Sequence, residues 1–272
     1  MIMAMNFSLA YRLFALLSLS FLVIQCDTDS PKEKSSSNAN ALEVLLAEID
    51  SFQTTNSPQD SLFQGHHLKG RFTDLTPDYF AKQQKSFEDF LRQAEAFEPD
   101  SKSESISKEV LIYKLKDQLS YYQFKQYYLP LNAEGGFYND IDFALRVLPF
   151  KTAQDYRDYM HWLPSYCNYI KQNISLMREG VSLGYVLPKV LAQNTIALVQ
   201  TWRQTHKPPS PFMSPFESMP KTISDEDKKE LFAQMTALLA DQIYPTYEEL
   251  NNFLEDEYLP ACTDAVGVSA QT

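Results

Sequence analysis

The stretch from Leu129 to Tyr185 restricts the fold more than any other part of the chain. A glycine pair, Gly135-Gly136, opens it, Pro149 breaks it, and Gly180 and Gly184 close it. Within it, Tyr156, Tyr159, Met160, Leu163, Cys167, Ile170, Ile174 and Met177 recur at spacings of three and four, which is one face of a long helix. Four of the seven glycines among 272 residues fall here, so backbone freedom is concentrated where this helix begins and ends. The pattern reads as a loop and helix pair held at a defined angle. Thr152, with Asp155 three residues on, predicts the helix start. Pro164 inside the run predicts a kink.

The same period continues on both sides. Leu42, Leu45, Leu46 and Ile49 mark a helix from Ala41. Ser57-Pro58 and Thr76-Pro77-Asp78 are start signals with proline at the first helical position. The second opens a helix with Phe80, Phe87, Phe90, Leu91, Ala94 and Phe97 on one side. A further helix from about Ser105, carrying Leu111, Leu115, Leu119 and Tyr122, is expected to reach Pro130. Pro188 opens a helix through Trp202. Five prolines between Lys207 and Pro220 predict an extended surface loop. Ser224-Asp225-Glu226-Asp227 caps a last long helix, bent at Pro245 and ending at Pro260. Its apolar face is wider than a stripe, so part of it is expected to lie exposed unless a further segment covers it. Alternating apolar and polar runs are absent. The expected fold class is all-α, a multi-helix bundle with kinked long helices and few or no strands.

The amino terminus reads differently. Met1–Gln25 holds one charge, Arg12, followed by an apolar run from Leu13 to Ile24 that is too short to span a membrane and fits a secretory signal peptide. Leu22-Val23-Ile24-Gln25-Cys26 resembles a bacterial lipobox, with Gln25 where that motif prefers a small residue. Cys26 would then carry the lipid, and the alternative is a plain signal peptide cleaved nearby. Asp27–Asn40 is polar and serine-rich, the composition of a disordered tether. The domain reading is therefore 1–25 signal peptide, 26–40 tether and 41–272 helical domain. It places the protein at the bacterial cell envelope, held to a membrane through Cys26.

Charge and side-chain chemistry exclude more than they assign. The formal charge is −11, and loss of Met1–Gln25 with its single arginine makes it one unit more negative. Such a chain repels phosphate backbones, which argues against a nucleic-acid partner. Of the four histidines, His66 and His67 are adjacent and read as turn residues. His161 reads as a packed or hydrogen-bonded histidine, and His206 as a helix end. None stands in an H-E-x-x-H pattern, so neither a metal nor any other cofactor is expected in this chain. No G-x-S-x-G occurs. Cys167 and Cys262 are either a disulfide or two thiols. Glu134, Asp140 and Asp142 form either paired carboxylates or a solvated helix start. Arg178 is either an ion-pair partner or a clamp for a substrate carboxylate. The aromatic run Tyr121–Tyr128 covers every face of a helix. It can stack on a sugar, line a peptide cleft, or pack between helices.

A set of loose motifs follows one order along the chain. It begins with Gly70-Arg71-Phe72-Thr73-Asp74-Leu75-Thr76-Pro77 and continues through Leu131-Asn132 to Gly136. It is best in Asp155-Tyr156, Met177-Arg178-Glu179-Gly180, Gly184 and Pro188. It returns in Tyr244-Pro245, Tyr247, Glu257-Tyr258-Leu259-Pro260 and Gly267. This order resembles the bacterial family known as domain of unknown function 885, with Thr263 departing from an arginine common there. The resemblance implies a helical, often lipid-anchored protein that looks like a zinc metallopeptidase. Asn132, Gly135, Gly136 and Arg178, which fall within these motifs, are the candidate substrate-binding positions. Family members are expected to be about twice as long, with an H-E and a G-H-H metal motif in the second half. The chain reaches Thr272 without that motif, so the resemblance assigns no catalytic residue and no zinc ligand here. Two readings follow: the amino-terminal half of a zinc-peptidase-like envelope protein, inactive alone and partnered by its missing carboxy-terminal half, or a complete non-enzymatic lipoprotein that binds a peptide, glycan or protein.

Overall fold

In the computed structural model, residues 36–58, 72–132, 135–205 and 210–266 are described. The signal peptide, Cys26, most of the tether, His66, His67, Glu134 and His206 therefore lie outside the described residues, as does the segment that Ser57-Pro58 opens.

Three helices form the first group: α1 (Ser36–Asn56), α2 (Pro77–Ala96) and α3 (Lys102–Gln123). The backbone of α1 is helical from Ser36, six residues ahead of Leu42, the first residue of its apolar stripe. Thr76 caps α2, its hydroxyl accepting the Tyr79 N–H at 3.2 Å, with Pro77 at the first helical position as the sequence indicates. Leu42, Leu45 and Ile49 of α1 meet Phe87 and Ala94 of α2 and Leu111, Leu115 and Tyr122 of α3 in one apolar cluster.

The third helix does not reach Pro130. It ends at Gln123, and Lys125 turns left-handed at φ 51° before a short 3-10 turn, Gln126–Tyr128. The aromatic run therefore does not wrap a single helix. The turn sends Tyr122 and Tyr128 inward and leaves Phe124 exposed.

Two residue pairs, β1 (Leu131–Asn132) and β2 (Gly135–Gly136), make an antiparallel hairpin with Leu131 opposite Gly136. A short helix α4 (Asp140–Val147) follows, and then the central helix α5 (Ala153–Ser182), 30 residues long and continuous through Pro164. Thr152 and Asp155 close a reciprocal box: Asp155 donates its N–H to Thr152 Oγ1 (3.3 Å), and its carboxylate accepts the Thr152 N–H (2.7 Å). Every residue of the expected stripe is buried except Met160, and Trp162, Tyr166 and Asn173 are buried as well, because α5 is surrounded rather than laid on a surface. Its end is a Schellman motif. Tyr185 donates to the Gly180 carbonyl (2.8 Å), Gly184 donates to Val181, and Gly184 has φ 83°, a conformation that glycine adopts without penalty.

Helix α6 (Lys189–Thr205) starts beside Pro188, where a backbone bridge to Thr263 ties it to the far end of the chain through Lys189 N–H and the Thr263 carbonyl (2.7 Å). From Ser210 on, the proline-rich segment after it is not extended on the surface. Its described part folds into a 3-10 turn, Pro211–Met213, and a single helical turn α7 (Ser214–Glu217). Phe212, Met213 and Phe216 are buried, and Tyr156 and Tyr159 of α5 donate to the Pro215 and Phe212 carbonyls at 3.1 and 3.5 Å. Apolar side chains and borrowed hydroxyls hold the backbone inside, an outcome that proline count does not reveal.

The last helix is one path in five pieces: α8 (Asp225–Leu238), a π segment Leu239–Ile243, α9 (Tyr244–Asn252), a second π segment Phe253–Tyr258 and α10 (Leu259–Ala261). Each π segment ends just before a proline. Tyr244, ahead of Pro245, donates to Leu239, and Leu259, ahead of Pro260, donates to Leu254, each reaching five residues back. The wider turn takes up the proline, which lacks an N–H and crowds the preceding turn. The broad apolar face of this path is buried, contrary to the expectation of exposure. Leu231, Met235, Ile243, Tyr247, Leu250 and Leu254 are all at most 1% exposed, and Phe232 alone stands well out at 47%. The π turns rotate successive stretches, and the path packs against α5 from α8 to the second π segment and against α6 from α9 onward.

Candidate functional site

The candidate positions in the hairpin are brought together. The Asn132 side-chain oxygen accepts the Gly135 N–H (3.1 Å), and the Asn139 side-chain oxygen accepts the Gly136 N–H (3.3 Å). A Cβ on Gly136 would lie 2.6 Å from a Leu131 methyl and 2.9 Å from the Pro130 carbonyl, so only glycine lets the two strands close. Asn132 is exposed at the tip.

Arg178 engages a different neighbour. Its guanidinium grips Glu257 with two hydrogen bonds, 2.6 and 2.7 Å, and lies 5.1 Å above the Phe253 ring. The arginine's hydrogen bond holds the Glu257 carboxyl below its ordinary range. Glu248, Glu249 and Asp256 line the shallow depression alongside. Geometrically the pair pins the second π segment to α5, and a substrate carboxylate would have to displace Glu257.

The remaining titratable candidates are scattered. Asp142 sits in the first turn of α4, its carboxyl pushed up by burial against the opposing pull of Arg146. His161 is exposed rather than packed, because the adjacent Trp162 takes the inward position of α5. Cys167 and Cys262 are separate thiols. Burial raises both, Cys262 to about 11, so neither is an activated nucleophile. Among the described residues, no three His, Cys, Asp or Glu side chains gather where they would hold a metal ion.

A partly enclosed feature lies where α1, α2 and α3 meet the segment before α2 and the flank of α5. It is a cavity of about 390 Å³. Glutamine amides line it from three helices: Gln53 of α1, Gln83 of α2 and Gln118 of α3. Tyr79, Tyr121, Tyr122 and Tyr169 add aromatic surface, and none of the lining side chains among the described residues is charged. Burial pushes the Tyr121 hydroxyl up to about 12 and Tyr122 higher still, so both remain protonated donors. Gln83 is 3% exposed, and its Nε2 has no hydrogen-bond partner; neither has Thr54 Oγ1 on the cavity wall. Of this site the sequence singled out only Tyr121 and Tyr122 as candidates for binding, as part of the aromatic run. The available signal was Gln83 itself, a polar residue between Phe80 and Phe87 on an otherwise apolar helix face.

The profile of a family of bacterial proteins of unknown function, DUF885, matches residues 58–270. The chain belongs to the DUF885 family. No curated protein matches it. Among solved structures, a protein from Colwellia psychrerythraea described as a candidate lipoprotein shares the fold, with a TM-score of 0.62 at 15% sequence identity. The match covers 86% of this DUF885 chain and 42% of the Colwellia chain, so the chain spans less than half the length of that neighbour. Among the described residues, no helix is long and apolar enough to cross a membrane.

Proposed function

We propose that this chain is the non-catalytic, amino-terminal helical half of a lipid-anchored, zinc-peptidase-like protein of the bacterial envelope, inactive without the remainder of that architecture. The observation that carries this reading is the match of 86% of the chain to only 42% of a longer chain of the same fold. The Colwellia protein's description as a candidate lipoprotein agrees with the lipobox-like Leu22–Cys26 and the polar sequence behind it. In this role the long α5 and the segmented last helix form a framework, with Arg178–Glu257 fixing their relative position. The zinc and its ligands belong to the other half.

The coding DNA beyond Thr272, or an adjacent gene, tests the proposal. It is expected to encode a segment with the H-E and G-H-H motifs, whose product co-purifies with this chain and cleaves peptides only in its company. An unrelated gene there, with a monomeric chain that binds no such product, refutes it. That outcome favours the second reading, a non-enzymatic binding lipoprotein, for which the partly enclosed cavity between α1, α2 and α3 speaks.

A further inference from the structure

The outward side of α3 carries an apolar stripe that stands exposed. Ile106, Val110 and Tyr113 are 53, 50 and 73% exposed, while Leu111, Leu115 and Tyr122 of the same helix fill the core shared with α1 and α2. At 3.6 residues per turn, Val110, Tyr113, Lys102 and Asp117 all lie within about 40° of Ile106 around the helix. They form one stripe about 22 Å long, apolar in the middle, with an exposed cation at its start and an exposed carboxylate at its end. Glu109 stands about 60° from Ile106, at the margin, where it keeps its water. Lys108 and Lys116, by contrast, are engaged by α2. Lys108 donates to the Glu95 and Phe97 carbonyls at 2.9 and 2.6 Å, and Lys116 pairs with Glu95 at 3.2 Å. Among the described residues, no ion pair holds Lys102 or Asp117. A bilayer surface suits this stripe poorly, since it would take the Asp117 carboxylate out of water with no cation to meet it. A second copy of the stripe supplies that cation. In a two-fold contact residue i meets residue j and j meets i. About an axis between Glu109 and Val110, Ile106 and Tyr113 lie equally far to either side, about 5 Å along the helix, and Lys102 and Asp117 equally far again, about 11 Å. Two antiparallel copies therefore set apolar against apolar at the centre and opposite charges at both ends.

We propose that the outward face of α3 is the contact surface of a homodimer, in which two copies of this helix pack antiparallel, with Ile106 of each against Tyr113 of the second copy and Lys102 against its Asp117. A contact built on one helix per copy falls at the low end of specific interfaces, below about 1,200 Å² in total, so the dimer has micromolar rather than nanomolar affinity. This assignment is independent of the peptidase-like reading. It requires neither a lipid anchor nor a separately encoded segment, and the two are read against different partners, so each can fail without the other.

The test is sedimentation equilibrium of the purified chain carrying Cys26→Ser, in reducing buffer, so that neither lipid nor disulfide links copies. The apolar run Leu13–Ile24 is common to every variant, so only differences between variants are read. The expected result is a monomer–dimer equilibrium that Ile106→Glu weakens at least about tenfold, since it sets a carboxylate against the tyrosine ring at the centre of the contact. Lys102→Glu and Asp117→Lys are each expected to weaken it about three- to tenfold, because each acts twice in a two-fold dimer. The double variant Lys102→Glu with Asp117→Lys restores the opposite charges and should return to the wild-type affinity. All three positions are exposed, and the wild-type helical spectrum of each variant checks that the fold is kept. A chain that is monomeric at every concentration overturns the proposal and leaves the stripe to another partner. So does a dimer that Ile106→Glu leaves unchanged, or a double variant no tighter than the two single ones.

Discussion

The hydroxyls of Tyr166 and Tyr247 converge on one backbone carbonyl, that of Tyr138, which accepts from them at 2.7 and 2.6 Å while the two oxygens lie 3.0 Å apart. Both side chains are almost fully buried, and burial raises both far above the ordinary tyrosine value. Tyr138 stands in the irregular 3-10 stretch before α4. Two distant helices thus supply the donors for one loop.

Tyr166→Phe and Tyr247→Phe are each expected to lower stability by about 1 kcal/mol, because the other hydroxyl still serves the carbonyl. The double variant should lose more than the sum, as it leaves a buried carbonyl without either partner. Urea denaturation of the four proteins measures this, and strict additivity would show that the two hydroxyls act separately.

Gly184→Ala should destabilise by roughly 1–2 kcal/mol through backbone conformation alone, since nothing lies within 4 Å of the position a Cβ would take. Gly184→Asn should lose less, because asparagine tolerates the left-handed region. Thermal unfolding of both variants is the check, and an alanine as harmless as asparagine contradicts the Schellman assignment.

The Arg178–Glu257 pair gives a pH dependence of definite sign. Glu257 titrates below its unfolded value, so the stability it contributes is present above the ordinary carboxylate range and is lost as pH falls through the lowered value. Glu257→Gln is therefore expected to be the less stable protein at neutral pH, by less than about 1 kcal/mol for a pair that is half exposed. The gap should close on acidification. Asp142 runs the other way: its carboxyl is raised, so protonation favours the fold, and Asp142→Asn should gain most over wild type at neutral pH. Urea midpoints between acid and neutral pH separate the two trends.

Lipidation at Cys26 predicts that a fatty-acid analogue fed to the native host labels the wild type and leaves Cys26→Ser unlabelled. Equal labelling of both proteins would remove the anchor from the proposed function.

The chain purified without chelator is expected to contain no stoichiometric zinc by elemental analysis. Among the described residues His161 is exposed and no ligand cluster forms. One tightly held zinc per chain would place ligands among His66, His67 and His206 and contradict the assignment of the metal to the other half.

Local rules in the sequence determined much of this protein. Thr76, Thr152 and Ser224 cap the helices they were expected to cap, and the stripe from Tyr156 to Met177 faces the core, because capping and amphipathic period act over a few residues and need no distant partner. What only the tertiary structure decided depends on neighbours far along the chain. Lys125 breaks the third helix so that Tyr122 and Tyr128 can both turn inward, and Phe212 and Phe216 fold a proline-rich segment into the core. Two π turns before Pro245 and Pro260 rotate an over-wide apolar face until nearly all of it is covered. Arg178 finds Glu257 79 residues away, and Gln53, Gln83 and Gln118 meet around one cavity, although each reads alone as an ordinary polar position. Side-chain pattern fixes which face of a helix is apolar; only packing of the whole chain fixes which groups remain unpaired, and the buried Gln83 amide is such a group.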